Sequence, residues 1–167
     1  TVYEILLAGD IAYVAALANL LVLDITNPDA PSLMTSLALT GGARTLALAG
    51  EYLYVGGSHI FTVVDVSNPT SPFFAGSFSW GGFGTAVVVE GDRAYLAHGS
   101  SGLVIFDVSD PTTPSFVGTY NTGGTSYGLF VDGDRVWVAD GTGGLLVFDV
   151  GSAMPPPLVG SYPAPHT

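Results

Sequence analysis

An aspartate recurs once in each of four stretches of this sequence and is its most regular polar residue. It stands at Asp24, Asp65, Asp107 and Asp149, each time inside an apolar segment and shortly before a proline-containing turn. A carboxylate in such a place could bind a metal or act as a general acid or base. Beside a turn it also accepts backbone N–H groups that would otherwise lack a partner, as in an Asx-type turn. Because each carboxylate belongs to its own stretch, the sequence favours this structural role.

Histidine is the other residue type that could supply metal or proton-transfer chemistry. His59 and His98 fall in corresponding loops, but no third ligand recurs, because the equivalent positions hold Ala16 and Asp140. The chain has no cysteine, no Gly-x-Ser-x-Gly elbow and no glycine pattern that leads into a phosphate-binding helix. The sequence therefore predicts no catalytic residues, no metal site and no cofactor.

Aromatic and polar residues of several loops are predicted to gather on one rim of the fold. They are Arg44, Trp80, Phe83, His98, Tyr127 and Asp140. Exposed aromatic rings beside polar groups stack on sugars or anchor protein partners, so this rim is the predicted place of any ligand or partner site. The alternative is that Trp80 and Phe83 pack between neighbouring structural units.

The elements that position these residues follow from a tandem repeat. A glycine closes a short apolar segment in each of four copies, with spacings of 41, 41 and 42 residues, at Gly9, Gly50, Gly91 and Gly133. The recurring aspartate keeps the same phase, and a proline follows it seven residues later in every copy. Three landmarks in phase across four copies identify a repeat of about 42 residues.

Each copy divides into four short strands. In the third copy these are Ala86–Glu90, 94–97, 103–108 and 116–120, with a Gly-Asp hairpin after the first strand and a proline-rich turn after the third. No segment shows a capped 3.6-residue apolar stripe, so almost no helix is expected. The sequence predicts an all-β fold, a single β-propeller domain over 1–167 with four-stranded antiparallel blades at approximately 1–42, 43–83, 84–125 and 126–167.

The same stretches resemble a known repeat family. Residues 102–111 (GLVIFDVSDP), 134–140 (DRVWVAD) and 145–150 (LLVFDV) are similar to the LVIVD repeat, and residues 110–114 match its Asp-Pro-x-x-Pro element. The resemblance covers all four copies. That family comprises β-propeller repeats found largely in secreted and cell-surface proteins of bacteria and archaea. The resemblance thus implies a propeller fold and an extracellular or cell-surface location, but no particular reaction.

The ends of the repeat pattern bear on how the propeller closes. Thr1 and Thr167 both correspond to Thr125, so the sequence is cut at a blade boundary without a strand that overlaps between its two ends. Three arrangements remain open: a closed ring of four blades, an eight-bladed ring of two chains, or a segment of a longer chain or head-to-tail polymer. A free end would leave an apolar blade face bare, which favours self-association in some form.

The net negative charge of the chain disfavours some classes of binding partner. Fourteen acidic residues stand against three arginines and no lysine, which gives a net charge of −11 and disfavours nucleic acid and anionic membrane surfaces. No apolar run is long enough to insert into a bilayer. The expected partners are the chain itself, as a homo-oligomer or head-to-tail polymer, or another surface protein, with a glycan as a further candidate.

The sequence thus predicts a non-catalytic, extracellular or cell-surface propeller that acts as a structural or protein-interaction module and self-assembles. The alternative is a carbohydrate- or peptide-binding propeller that uses the rim around Trp80 and Phe83. A hydrolase is the third hypothesis, which the lack of a convergent acid, base and nucleophile disfavours.

Overall fold

A computed structural model describes residues 1–164, so the predicted end of the fourth blade at residue 167 lies outside the described residues. The described part consists almost entirely of antiparallel strands, with a single turn of 3-10 helix at Gly141–Gly143. The prediction of an all-β fold with almost no helix is confirmed. Within these residues, no helix is long and apolar enough to cross a membrane.

Four antiparallel sheets follow one another along the chain, and in each the strands lie side by side in chain order. The first sheet contains β1 (Glu4–Ala8), β2 (Ile11–Asp24) and β3 (Ser32–Ala43). The second contains β4 (Thr45–Ala49), β5 (Tyr52–Gly56), β6 (Ser58–Asp65) and β7 (Phe73–Phe83). The third contains β8 (Ala86–Glu90), β9 (Arg93–Ala97), β10 (Leu103–Asp107) and β11 (Ser115–Tyr120). The fourth contains β12 (Gly128–Asp132), β13 (Arg135–Ala139), β14 (Leu145–Asp149) and β15 (Leu158–Tyr162).

The long strand β2 is a hairpin whose two arms are joined without a break. The N–H of Ile25 donates to the carbonyl of Asp10 at 2.8 Å, so the two ends of β2 lie next to each other. Leu17, with a φ of 48°, turns the chain midway. Equivalent backbone bonds join the second and third strands of the next three sheets. The first sheet therefore has four strands, like the others.

A tight hairpin joins the first two strands of every sheet, and a glycine stands at the turn in each. The four glycines have φ values between 55° and 59°, in the left-handed region where a Cβ is strained: Gly9, Gly50, Gly91 and Gly133. The repeated glycine of the sequence is thus fixed by the backbone geometry of the turn.

Each sheet is apolar on both faces and packs against its neighbours in the chain. We call the face toward the next sheet the forward face, the opposite one the rear face, and the contact between two sheets a seam. On the second sheet, Ala47, Tyr54 and Val63 lie in register across three strands and form the forward face. They pack with residues such as Leu96 and Phe106 on the rear face of the third sheet. The strand alternation of side chains thus supplies both faces.

Three seams of this kind hold the sheets together. One buried cluster joins the first and second sheets, another the second and third, and a third the third and fourth. The innermost strands contact one another in the order β1, β4, β8 and β12. Hydrogen bonds supplement the apolar contact: the Glu4 carboxylate accepts the Leu46 N–H at 2.7 Å, and the equivalent Thr45 hydroxyl accepts the Val87 N–H at 3.1 Å. The four sheets are four blades of a β-propeller.

Candidate functional site

The residue just before the innermost strand of every blade contributes to one cavity. This cavity of about 320 Å³ is lined by Tyr3, Arg44, Gly84, Thr85 and Tyr127. Four of these residues immediately precede β1, β4, β8 and β12, so the repeat itself brings them together. We call this cavity the axial mouth. Its walls therefore come from all four blades.

Arg44 lies between two aromatic rings at the edge of the axial mouth. Its guanidinium carbon is 4.7 Å from the centre of the Tyr3 ring and 5.0 Å from that of Phe83, which is cation–π geometry. Phe83 and Tyr127 are exposed, and the only salt bridge within residues 1–164 does not involve Arg44. The structure thus brings three of the predicted rim residues, Arg44, Phe83 and Tyr127, to one place. Tyr3 was missed, although it occupies the same repeat position as Arg44.

Trp80 and His98 form a separate pair in the seam between the second and third blades. Trp80 stacks on Phe116 with ring centres 5.2 Å apart and meets His98 edge-on at 5.4 Å. Trp80 is half-buried and packs against the core cluster of this seam. The alternative that the sequence offered, packing between blades, therefore describes Trp80 but not the exposed Phe83.

His98 is buried, and its burial lowers the pKa of the imidazole below the ordinary value. Its Nδ1 atom has no hydrogen-bond partner. The exposed His59 accepts the N–H of Gly82 through Nδ1 at 3.0 Å. Within residues 1–164 no group of three or more potential ligands could hold a metal ion. His98 therefore packs against Trp80 in a seam, and His59 holds the backbone of Gly82.

Asp140 is buried in a loop of the fourth blade and fastens it to the preceding loop. Its Oδ1 accepts hydrogen bonds from the hydroxyls of Thr122 and Ser126, the latter at 2.8 Å. Gly124 and Gly143 lie so close to the carboxylate that neither has room for a Cβ. Asp140 is thus enclosed by backbone and hydroxyl groups, and the exposed Tyr127 lines a cavity together with it.

The repeated aspartates occupy four separate turns. In the first three blades the carboxylate accepts the N–H and the hydroxyl of the residue two positions later; the third copy, Asp107, does so from Ser109 at 3.0 and 2.6 Å. The hydroxyl bond and then the backbone bond from Ser109 lower the pKa of Asp107. In the fourth blade, Asp149 accepts the Gly151 N–H and pairs with Arg135 at 2.8 Å. These are the bonds expected of Asx-type turns, and the carboxylates do not converge.

The forward face of the fourth sheet carries several exposed apolar side chains. Phe130 and Trp137 lie opposite each other on neighbouring strands, with Leu145 on the third strand of the same face. Trp137 is 39% exposed, whereas the equivalent Tyr13, Tyr54 and Tyr95 of the preceding blades are no more than 5% exposed. We call this surface the forward terminal face.

The rear face of the first sheet is exposed in the same way. Ile5 is 59% and Leu7 66% exposed, whereas Leu46 and Val87, which correspond to Ile5, are buried at 4% and 6%. We call this surface the rear terminal face. Within residues 1–164, no buried cluster joins the fourth sheet to the first. The repeat phase predicts an unpaired apolar face, and aligning the copies residue by residue would have named these side chains.

Two solved structures similar to this one are computationally designed proteins. The computationally designed Ika8 protein superposes on 96% of this chain with a TM-score of 0.78 and 12% sequence identity, and the aligned part is 48% of the Ika8 chain. This chain therefore spans about half the length of Ika8. The computationally designed Ika4 protein superposes on 90% of this chain and 92% of its own, with a TM-score of 0.75 and 12% identity. Among curated proteins, no sequence matches this chain.

The repeats themselves match a sequence family. The LVIVD repeat model matches four times in succession, at residues 1–38, 40–79, 81–122 and 123–163. Each match spans the strands of one blade, except that the ends of β3 and β7 extend beyond theirs, and together the matches cover nearly all of the sequence. The resemblance of the sequence to this repeat is thereby confirmed, and the chain belongs to the LVIVD-repeat family.

Proposed function

We propose that the chain is a non-catalytic structural and protein-interaction module, secreted or displayed at the cell surface, which assembles through its two terminal faces. One observation carries this proposal: Trp137 is exposed at a position that every other blade buries in a seam, and Phe130 beside it is exposed where the other blades are half-buried. A continuous apolar surface of this kind is uncommon on a protein that works alone, and it marks a protein contact.

The extracellular location is supported by family and charge. LVIVD repeats occur largely in secreted and cell-surface proteins. A net charge of −11 without a single lysine keeps such a protein soluble and weakly attracted to nucleic acid and anionic lipid.

The non-catalytic role is supported by how the ionisable groups are used. Asp107 and its counterparts accept hydrogen bonds within their own turns, and Asp140 is enclosed by hydroxyl and backbone groups. His98 lies in a seam against Trp80. A hydrolase, the third hypothesis, needs an acid, a base and a nucleophile that converge on one substrate position, and these groups point to separate places.

The mass of the purified protein in solution tests the proposal. We expect light scattering to show a mass above that of the 17.1 kDa chain at micromolar concentration, and Trp137→Glu to return it to the monomer mass, because a buried unpaired carboxylate is strongly disfavoured. Phe73→Glu is the matched control, since Phe73 is also an exposed aromatic residue but lies on the outer strand of the second blade. A wild-type protein that stays monomeric would refute assembly.

Ligand binding at the axial mouth is the second candidate function. It is favoured by Arg44, whose guanidinium lies between Tyr3 and Phe83, and by the exposed Tyr127 beside it. Aromatic rings next to a cation suit the stacking and hydrogen bonding of a carbohydrate or of a peptide with an acidic group. The sequence placed this site around Trp80 and Phe83, and the structure favours Phe83 with Arg44 and Tyr127, because Trp80 belongs to a seam.

A further inference from the structure

We infer that the occupant of the terminal faces is a second copy of this chain, related by a two-fold axis, so that two copies close one ring of eight blades. The inference rests on the proposed function and names its partner and geometry. In this ring the forward terminal face of each copy meets the rear terminal face of the other, and two new seams form.

The two faces are the halves of a seam that the chain already builds three times. On the third sheet, Tyr95 and Ile105 lie in register on the forward face and are buried against Val136 and Val138 of the fourth sheet. On the forward face of the fourth sheet, Trp137 and Val147 lie opposite each other at the positions that correspond to Tyr95 and Ile105. On the rear face of the first sheet, Val14 corresponds to Val138 of the fourth sheet and lies opposite the exposed Ile5. Each copy therefore offers one forward half and one rear half.

Backbone groups extend the match between the halves. Between the third and fourth blades, the N–H of Ser126 donates to the carbonyl of Gly99 at 2.9 Å. The corresponding donor on the first blade is the N–H of Val2, an exposed residue two positions before β1. The corresponding acceptor on the fourth blade is the carbonyl of Gly141, in a loop with the same internal hydrogen bonds as the loop of Gly99. In the eight-bladed ring, Val2 of one copy donates to Gly141 of the other.

The four blades of one copy correspond to half of a ring, so two copies complete it. A ring closed by four blades would bury the fourth sheet against the first, and within residues 1–164 Trp137 on one of these faces and Ile5 on the other are exposed. The blades superpose on 48% of the Ika8 chain while 96% of this chain is covered, so their arrangement fits half of a propeller chain of about twice this length. A heterologous contact that closes after one further copy gives a two-fold ring.

The area to be buried is sufficient for a stable dimer. Phe130, Trp137, Leu145, Ile5 and Leu7 are each between 39% and 66% exposed. Applied to large side chains of roughly 150–250 Å² each, these fractions leave on the order of 500 Å² to be covered at one seam. The ring has two such seams, so these side chains alone approach the ~1,000 Å² expected of a specific interface, before backbone and rim contacts are included.

A disulfide across the new seam tests the geometry, because the chain contains no cysteine of its own. In the seam between the second and third blades, a Cβ on Gly84 would lie 3.1 Å from the Cα of Gly56. The equivalent positions at the new seam are Val2 and Ala139. These positions are close enough for a disulfide, whose Cα atoms are usually about 4.4–6.8 Å apart. We expect the double variant Val2→Cys/Ala139→Cys to oxidise to a covalent dimer at twice the chain mass, seen on a non-reducing gel.

The outcomes separate this inference from the proposed function. A covalent dimer, with neither single variant cross-linked and an eight-bladed ring in electron micrographs, is the expected result. A ladder of higher species, or a dimer in solution that does not cross-link, overturns the eight-bladed ring and leaves assembly standing. An internal cross-link in a monomer shows that four blades close alone, and it overturns both. A monomer without any cross-link also overturns both.

Discussion

Trp137 is the residue of the fourth sheet that corresponds to Tyr95 of the third, yet the Tyr95 ring is buried under the fourth sheet and the Trp137 ring is exposed. The two rings stand on the same strand position, with a register partner on each side. The difference is the sheet in front of them. In repeat proteins the stability of one unit depends on its neighbour. A side chain at the same repeat position therefore contributes less to stability in a terminal blade, where one neighbour is lacking.

This relationship predicts losses of stability of different size for two similar substitutions. We expect Tyr95→Ala to lower the free energy of unfolding by ~3–5 kcal/mol, the usual cost of removing a buried aromatic side chain. Trp137→Ala should lower it by less than ~1 kcal/mol when the protein is dilute enough to be monomeric, as substitutions at exposed positions do. Urea unfolding followed by circular dichroism measures both. Equal losses would show that the monomer itself covers Trp137.

The Asx-type turns predict a pH-dependent contribution from Asp107. The hydrogen bonds from Ser109 lower the pKa of the folded carboxyl, so its contribution is complete above the unfolded value near ~3.9 and is lost as the pH falls through the folded value. Asp107→Ala should therefore lower the melting temperature by a constant amount from about pH 8 to 5, and by less below about pH 4.

Asp29→Ala is the control for this series, because Asp29 lies in a turn but its carboxylate accepts no hydrogen bond within the described residues. Its melting temperature should follow the wild type throughout. If Asp107→Ala also followed the wild type, the carboxylate would not be holding the turn.

His98 predicts a second pH dependence, at a higher pH. Burial lowers the pKa of its imidazole, so the neutral form is favoured in the folded protein and its contribution is complete above ~6.5. That contribution is lost as the pH falls from there to the folded value. His98→Phe, which keeps a ring against Trp80, should flatten the fall in melting temperature between about pH 7 and 5. The exposed His59, changed to Asn, should leave the fall in place.

The fold could be read from the sequence because every blade repeats the same constraints. Gly91 and its counterparts need a positive φ at the hairpin, and Asp107 and its counterparts need a turn with free N–H groups. Because each of these residues recurs four times at nearly the same spacing, the pattern can be distinguished from the general amino-acid composition. The spacing of about 42 residues then leaves room for four short strands, which predicts a propeller blade.

The rim was less predictable, because loops differ between the copies. The sequence grouped Arg44, Trp80 and Phe83 by their place in the repeat, and the structure separates Trp80 from the other two. The direction of a side chain in a loop depends on turns such as Gly82 with its φ of 110°, which no strand alternation fixes. Tyr3 was missed for a related reason, since its role depends on where Arg44 points.

The separation of Trp80 from Phe83 predicts different outcomes for two aromatic substitutions. Phe83→Ala should abolish any glycan or peptide binding by the axial mouth without changing the melting temperature, because the ring is exposed and, within residues 1–164, stacks only on Arg44 and His59. Trp80→Ala should lower the melting temperature, because it removes a ring packed on Phe116 in a seam. Glycan and peptide arrays and thermal unfolding measure the two effects. A Phe83→Ala protein that still bound its ligand would place the site elsewhere.

The charge of the chain predicts how assembly responds to salt. Two copies at −11 each repel one another, while the surfaces that meet are apolar and carry an internally paired Arg135 and Asp149 on the forward terminal face. Sodium chloride shortens the screening length from ~30 Å at 0.01 M to ~3 Å at 1 M, which removes the repulsion and leaves the apolar contact. The dissociation constant measured by sedimentation should therefore fall as salt is added, and the Trp137→Glu protein should stay monomeric across the series. A dimer that weakened with salt would show that ion pairs, rather than Phe130 and Trp137, hold the copies together.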